Sequence, residues 1–162
     1  VPMPLELTLA HREPEEIRPL FREYTDMILE NVPAFQAYLD LQHYDDETAH
    51  LERKYGPPEG RLYLARWDGA AAGCGGLRKL DETRCELKRL YVRPAFRGHQ
   101  LGEALLRRLI DDARAIGYHH MLLDTLPFMD SALRLYHRFG FHGILRYNDS
   151  PLDSTIYLGL DL

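Results

Sequence analysis

No apolar run in this chain approaches the roughly 18 residues that a membrane span needs. The N-terminal stretch VPMPLELTLAHRE has no basic region followed by a long apolar one, so no leader peptide is expected there. Cysteine is scarce: Cys74 and Cys85 are the only two, and they form no Cys-x-x-Cys pair. Free thiols in a reducing cytoplasm are expected, although a bridge between the two is not excluded by spacing. Positive charge is not in excess either. The formal net charge is -5 and the pI about 5.9, which denies the chain the basic face of a nucleic-acid binder. Only residues 89–97 are locally Arg-rich. No internal repeat and no low-complexity tract occurs. The hydrophobic content of 45% and charged content of 28% lie near globular averages, and 162 residues fit one domain, residues 1–162, around one core.

Periodicity divides the chain in two. Leu5, Leu7 and Leu9 alternate with polar neighbours, which predicts a strand. Ile17, Leu20, Phe21, Tyr24 and Ile28 recur at helical spacing, with Pro19 expected to start or kink that helix. A second helix is expected over residues 46–55, ended by Gly56-Pro57-Pro58. Three strands then follow, over residues 61–67, 70–78 and 84–92, with Asp68-Gly69 as a hairpin turn. From Leu101 the rhythm becomes strand and helix. The apolar stripe Leu101, Leu105, Leu109, Ile110, Ala113 and Ile116 closes at Gly117. A short strand over residues 120–125, a helix bearing Ala132, Leu135, Tyr136 and Phe139, and strands over residues 141–147 and 154–160 complete the chain. The expected order is β-α-α-β-β-β-α-β-α-β-β. That predicts an α/β (α+β) domain with a mixed, mostly antiparallel central sheet and helices on both faces.

The segment KRLYVRPAFRGHQLGEALL joins a strand to the first turn of a helix. Helix N-termini present free N–H groups and a partial positive charge, which bind phosphate. Gly98 permits a tight turn, Gly102 a close approach, and Arg93 and Arg97 add charge at the mouth. Glycine spacing alone fits an ordinary turn equally well. It is neither a Walker A loop nor a G-x-G-x-x-G fingerprint.

The wider context resembles the GNAT superfamily of N-acetyltransferases. Its motif, Arg/Gln-x-x-Gly-x-Gly/Ala after an LYV-type strand, maps onto Arg97, Gly98, His99, Gln100, Leu101 and Gly102. Gln100 stands where glycine is usual. Its N–H survives that change, so phosphate binding survives unless the position needs a positive φ. A second signature is carried by Ala132, Leu135, Tyr136, Gly140 and Phe141, with Met129 where Asn is often found. The likeness is good over residues 60–147 and loose before that, and the LDTLP segment looks like a group of bacterial acetyltransferases of undefined substrate. The resemblance implies a single GNAT-like domain that moves an acetyl group from acetyl-CoA to a primary amine by direct attack, on a small molecule or a peptide. It implies no metal, no nucleic acid and no membrane, and it leaves room for a homodimer. A non-catalytic acyl-CoA sensor or interaction module is the alternative.

Such a transfer needs a neutral amine, donors for the oxyanion and an acid for the thiolate. The resemblance implies Tyr136 as the acid; taken singly, a Tyr on an apolar helical face packs. Glu86, six residues before Val92, is the candidate base. A solvated Glu paired with Lys88, with water taking the proton, fits the residues equally well. Leu90, Tyr91 and Val92 are implied to bind the pantetheine arm through their backbone. On the acceptor side Tyr24, Tyr147 and Asn148 are candidates. Phe21, Phe35 and Tyr38 are expected to be largely core, and the acidic run Asp45-Asp46-Glu47 either draws a cation or merely suits a helix start. Cys74 is expected to pack. His119 and His120, adjacent on a strand, point to opposite faces and make no metal pair.

Overall fold

The computed structural model describes residues 4–162; the first three residues of the N-terminal stretch lie outside the described residues. Its elements are β1 (Leu5–Leu9), α1 (Pro14–Asn31), α2 (Phe35–Leu41), α3 (Tyr44–Ala49), α4 (Leu51–Tyr55), β2 (Arg61–Trp67), β3 (Ala70–Lys79), β4 (Arg84–Val92), α5 (Leu101–Ile116), β5 (His120–Thr125), α6 (Asp130–Arg138), β6 (His142–Gly143) and β7 (Ile156–Asp161). The strands form one seven-stranded sheet in the order β1-β2-β3-β4-β5-β7-β6. Only β4 and β5 run parallel, because α5 carries the chain back between them. Every other pair is antiparallel.

The strand pattern explains the layering. On β2, Leu62 and Leu64 pack with Ile17, Leu20 and Phe21 of α1 and with Tyr55. Their neighbours Tyr63 and Ala65 face the opposite way, onto Leu105, Leu106 and Leu109 of α5. A strand covered on both faces loses the apolar–polar alternation, which is why this one reads as nearly continuous apolar sequence. On β3 the covering is tight enough to exclude side chains: a Cβ at Gly76 would lie 2.9 Å from the Tyr55 ring.

Three expectations need correction. Helix α1 starts at Pro14, ahead of Pro19, and runs through it; the ring removes one early hydrogen bond, and burial of Ile17, Leu20 and Phe21 offsets that cost. The single helix expected over residues 46–55 is two short ones, broken at His50 (φ -136°), and α2 precedes them unannounced. The strand expected over residues 141–147 is registered on β7 at His142 and Gly143, with one further bond from the Ile144 N–H to the Tyr157 carbonyl at 3.0 Å. Beyond it, Arg146 donates to the carbonyls of Asn148 and Ser150 at 2.7 and 2.8 Å, rolling the chain into a loop. That loop delivers Tyr147 and Asn148 to the site.

Candidate active site

The site begins where the sheet opens. β4 and β5 pair only from Arg84 to Glu86 against His120 to Leu122, and then diverge. The register between β3 and β4 also slips between Cys74 and Gly76, and opposite that slip Arg89 adopts a left-handed φ of 59°. Such a conformation costs a non-glycine residue about 1–2 kcal/mol. The side chain holds it there. Arg89 donates to both carboxylate oxygens of Glu47 at 3.0 and 3.2 Å and to Gln42 at 2.9 Å. Burial opposes ionisation of Glu47, but the charges of Arg89 and Lys54 outweigh it and hold the carboxyl well below its ordinary range. Glu47 therefore anchors the bulge, while Asp45 and Asp46 are exposed; the acidic run does not form an acceptor patch.

On one side of the opening lies a cleft of about 830 Å³, lined by Leu90, Tyr91, Val92, Arg97 and Gly98 and by Gln100, Leu101 and Gly102 of the loop into α5. This is within the ~300–1,000 Å³ typical of ligand sites. Helix α5 starts with no side-chain cap, so its first N–H groups are free for an anion. Gly98 has φ 92° and Gln100 φ 60°. The position usually held by glycine thus does use a positive φ, and Gln100 adopts it at a conformational cost. Two basic residues of α6, Arg134 and Arg138, line the same cleft. Extended backbone on β4, unpaired N–H groups and three guanidinium groups suit an amide arm followed by a pyrophosphate. His99 is not part of the lining, because its ring stacks on Trp67 at 4.1 Å. Arg93 is also diverted, donating to Glu23 at 2.8 Å and to the Ala71 carbonyl at 3.1 Å.

On the other side lies a smaller cavity whose polar lining includes Tyr24, Tyr38, Lys88, Asp124 and Tyr136. Tyr24, Leu90 and Met129 line both spaces, which are therefore neighbours. Tyr136, 6% exposed, projects from α6 against Phe141, their ring centroids 5.6 Å apart. Burial, reinforced by the fields of Tyr24 and Asp124, raises its pKa far above neutrality and keeps the phenol protonated. The Tyr24 phenol is pushed up to about 12, by burial in the main. One oxygen of Asp124 accepts from the Tyr38 hydroxyl and from Asn148 Nδ2, the latter at 2.7 Å.

Glu86 does not line this cavity. Only 2% exposed, it accepts from Arg78 at 2.8 Å and from Tyr147 at 2.5 Å and lies 3.8 Å from Lys88. Burial favours its neutral form, but Lys88 and Arg78 outweigh that and lower its pKa, leaving a weak base. Tyr147 and Asn148 are absent from the lining as well; they hold Glu86 and Asp124 in place. Cys74 and Cys85 are free and buried, and burial pushes each thiol up to about 12. The sulfur of Cys74 faces the Arg89 carbonyl at 3.3 Å, as a packing residue at the bulge.

Sequence reading missed Lys88 and Asp124 as cavity groups, together with Arg134 and Arg138. Lys88 shares a strand face with Glu86, and the arginines recur at i, i+4 on α6. Both signals were present without a partner to give them meaning.

Known proteins agree with this geometry. The model of the acetyltransferase (GNAT) family matches residues 17–141. An uncharacterized N-acetyltransferase of Schizosaccharomyces pombe is 38% identical over 142 residues, 86% of this chain and 87% of that protein. An IAA acetyltransferase of Azospirillum brasilense is 35% identical, over 72% of this chain and 77% of that one. Relatives thus occur in a eukaryote as well as a bacterium, so the likeness does not single out a bacterial group. An N-acetyltransferase from Thermoplasma acidophilum, solved with coenzyme A, shares the fold at a TM-score of 0.75 and 17% identity, covering 99% of this chain and 100% of that one. The chain belongs to the acetyltransferase (GNAT) family, as an acetyl-CoA-dependent N-acetyltransferase.

Proposed function

We propose that residues 1–162 act as a single N-acetyltransferase domain that moves the acetyl group of acetyl-CoA to a primary amine by direct attack, on a small molecule or a peptide. One observation carries this reading. The phenol of Tyr136 and the bulged strand at Leu90 border the same cavity, and Leu90 also lines the cleft with the α5 N-terminus.

In this reading the pyrophosphate lies on Arg97, Gly98, Gln100, Leu101 and Gly102, and the backbone of Leu90, Tyr91 and Val92 takes the pantetheine arm. An N–H of the bulge polarises the thioester carbonyl. The acceptor ammonium first yields a proton to water, since Glu86 is too acidic and too enclosed to take it. The amine lone pair then forms the C–N bond and the C–S bond breaks. Tyr136 gives its proton to the departing thiolate and regains one from the amide nitrogen. The buried thiols favour a reducing cytoplasm as the setting.

Two measurements test this. Acetyl-CoA at 100 times its Kd should stabilise the fold by about 2.7 kcal/mol, read as a higher melting temperature. Acetyl-CoA with an amine panel should release free thiol; binding without release would favour the sensor alternative.

A further inference from the structure

We infer that the acceptor is a zwitterionic amino acid or a close analogue, its carboxylate held by Lys88 and its amine by Asp124. This rests on the acyl-transfer reading above and adds the class of acceptor.

Lys88 is 7% exposed and lines the acceptor cavity. A buried ammonium is costly unless paired. Among the described residues its only ion-pair partner is Glu86, at 3.8 Å, beyond hydrogen-bond reach. Both oxygens of Glu86 are already engaged, by Arg78 at 2.8 Å and Tyr147 at 2.5 Å. The ammonium of Lys88 is therefore left with donors to spare at the cavity wall. Asp124 is the complementary case. Tyr38 and Asn148 both donate to its Oδ2, and among the described residues Oδ1 has no hydrogen bond. Lys88 and Asp124 line one cavity without forming an ion pair with each other.

A cation and an anion that line one space without pairing match a molecule with both charges. The space is about 40 Å³, room for roughly three waters, so it takes a small polar head. A simple amine would expel that water and leave Lys88 unpaired. A polyamine would set a second positive charge against Lys88 and Arg89, both in the lining. An amino acid satisfies both walls and keeps its nitrogen in the cavity that Tyr136 borders.

The test uses matched acceptors with acetyl-CoA and the full chain: α-amino acids, their methyl esters and the corresponding decarboxylated amines, each followed by thiol release. The free amino acids should show a kcat/KM higher by about tenfold or more, the worth of a hydrogen bond to a charged group. Lys88→Met should erase that preference and Lys88→Arg retain it, with circular dichroism confirming the fold. The wild-type comparison stands even if the Met variant does not fold. Equal or faster turnover of the esters and amines would overturn the inference and leave acetyl transfer intact. No thiol release with any acceptor would remove the acetyl-transfer reading, and the inference with it.

Discussion

The two spaces that share Leu90 of β4 are built from different materials. The cleft draws on backbone features, a bulged strand, a turn through Gly98 and Gln100 and the uncapped start of α5, joined by the guanidinium groups of Arg97, Arg134 and Arg138. The cavity is mostly side chain, with Tyr24, Tyr38, Lys88, Asp124 and Tyr136 converging from α1, α2, β4, β5 and α6. Backbone recognition suits a donor that is always the same molecule. A wall of charged side chains, each set by residues distant in sequence, suits an acceptor that differs from one relative to another.

The comparison predicts that damage to the buried supports of the cavity costs stability, damage to its phenol costs turnover, and damage on the cleft side costs affinity. Glu47→Gln should show the largest effect, about 3–5 kcal/mol lost in denaturant unfolding, because it leaves buried Arg89 uncompensated. The same carboxylate limits stability in acid. Its pKa and that of Glu86 are lowered in the fold, so their contribution is present above the ordinary carboxylate value of 4.5 and is lost as pH falls below it. A melting temperature that stayed level from pH 6 down to about pH 3 would break this part of the comparison.

Next in size, Tyr136→Phe should lower kcat by about 10²-fold, the scale of a lost general acid, while the dissociation constant for acetyl-CoA stays near wild type. An unchanged kcat would remove Tyr136 as the acid. Arg97→Ala should weaken acetyl-CoA binding by about tenfold and leave stability within about 0.5 kcal/mol, measured by titration calorimetry and thermal melting. The smallest effect sharpens the comparison. Gln100→Gly relieves a left-handed residue and should add about 1 kcal/mol of stability, with the cleft otherwise unaltered. Destabilisation would mean that the Gln100 side chain makes a contact worth more than the strain.

The same contrast explains what was legible in the sequence. The layered sheet could be read because its signals are local: alternation at Leu5, Leu7 and Leu9, the stripe from Leu101 to Ile116, and glycine at the close of α5. The strand–turn–helix unit from Leu90 to Gly102 could be read because a strand, a glycine turn and a helix start lie within one short stretch. Helix α2 escaped because two turns bearing Phe35, Tyr38 and Leu39 are too short for a periodic signal. The acceptor side escaped for a deeper reason. Asp124 acquires its role from Tyr38, 86 residues away, and from Asn148; Glu86 is enclosed in part by Tyr147, 61 residues away. No spacing rule reaches across those separations, and His99 was misplaced for the same reason, by a ring on β2.

The central claim is tested most directly by incubating the chain with acetyl-CoA and the acceptor panel and counting both products. The account predicts N-acetylated amine and free coenzyme A thiol in equal amounts, formed only when an amine is present. Tight acetyl-CoA binding with no acetylated product from any amine would contradict it.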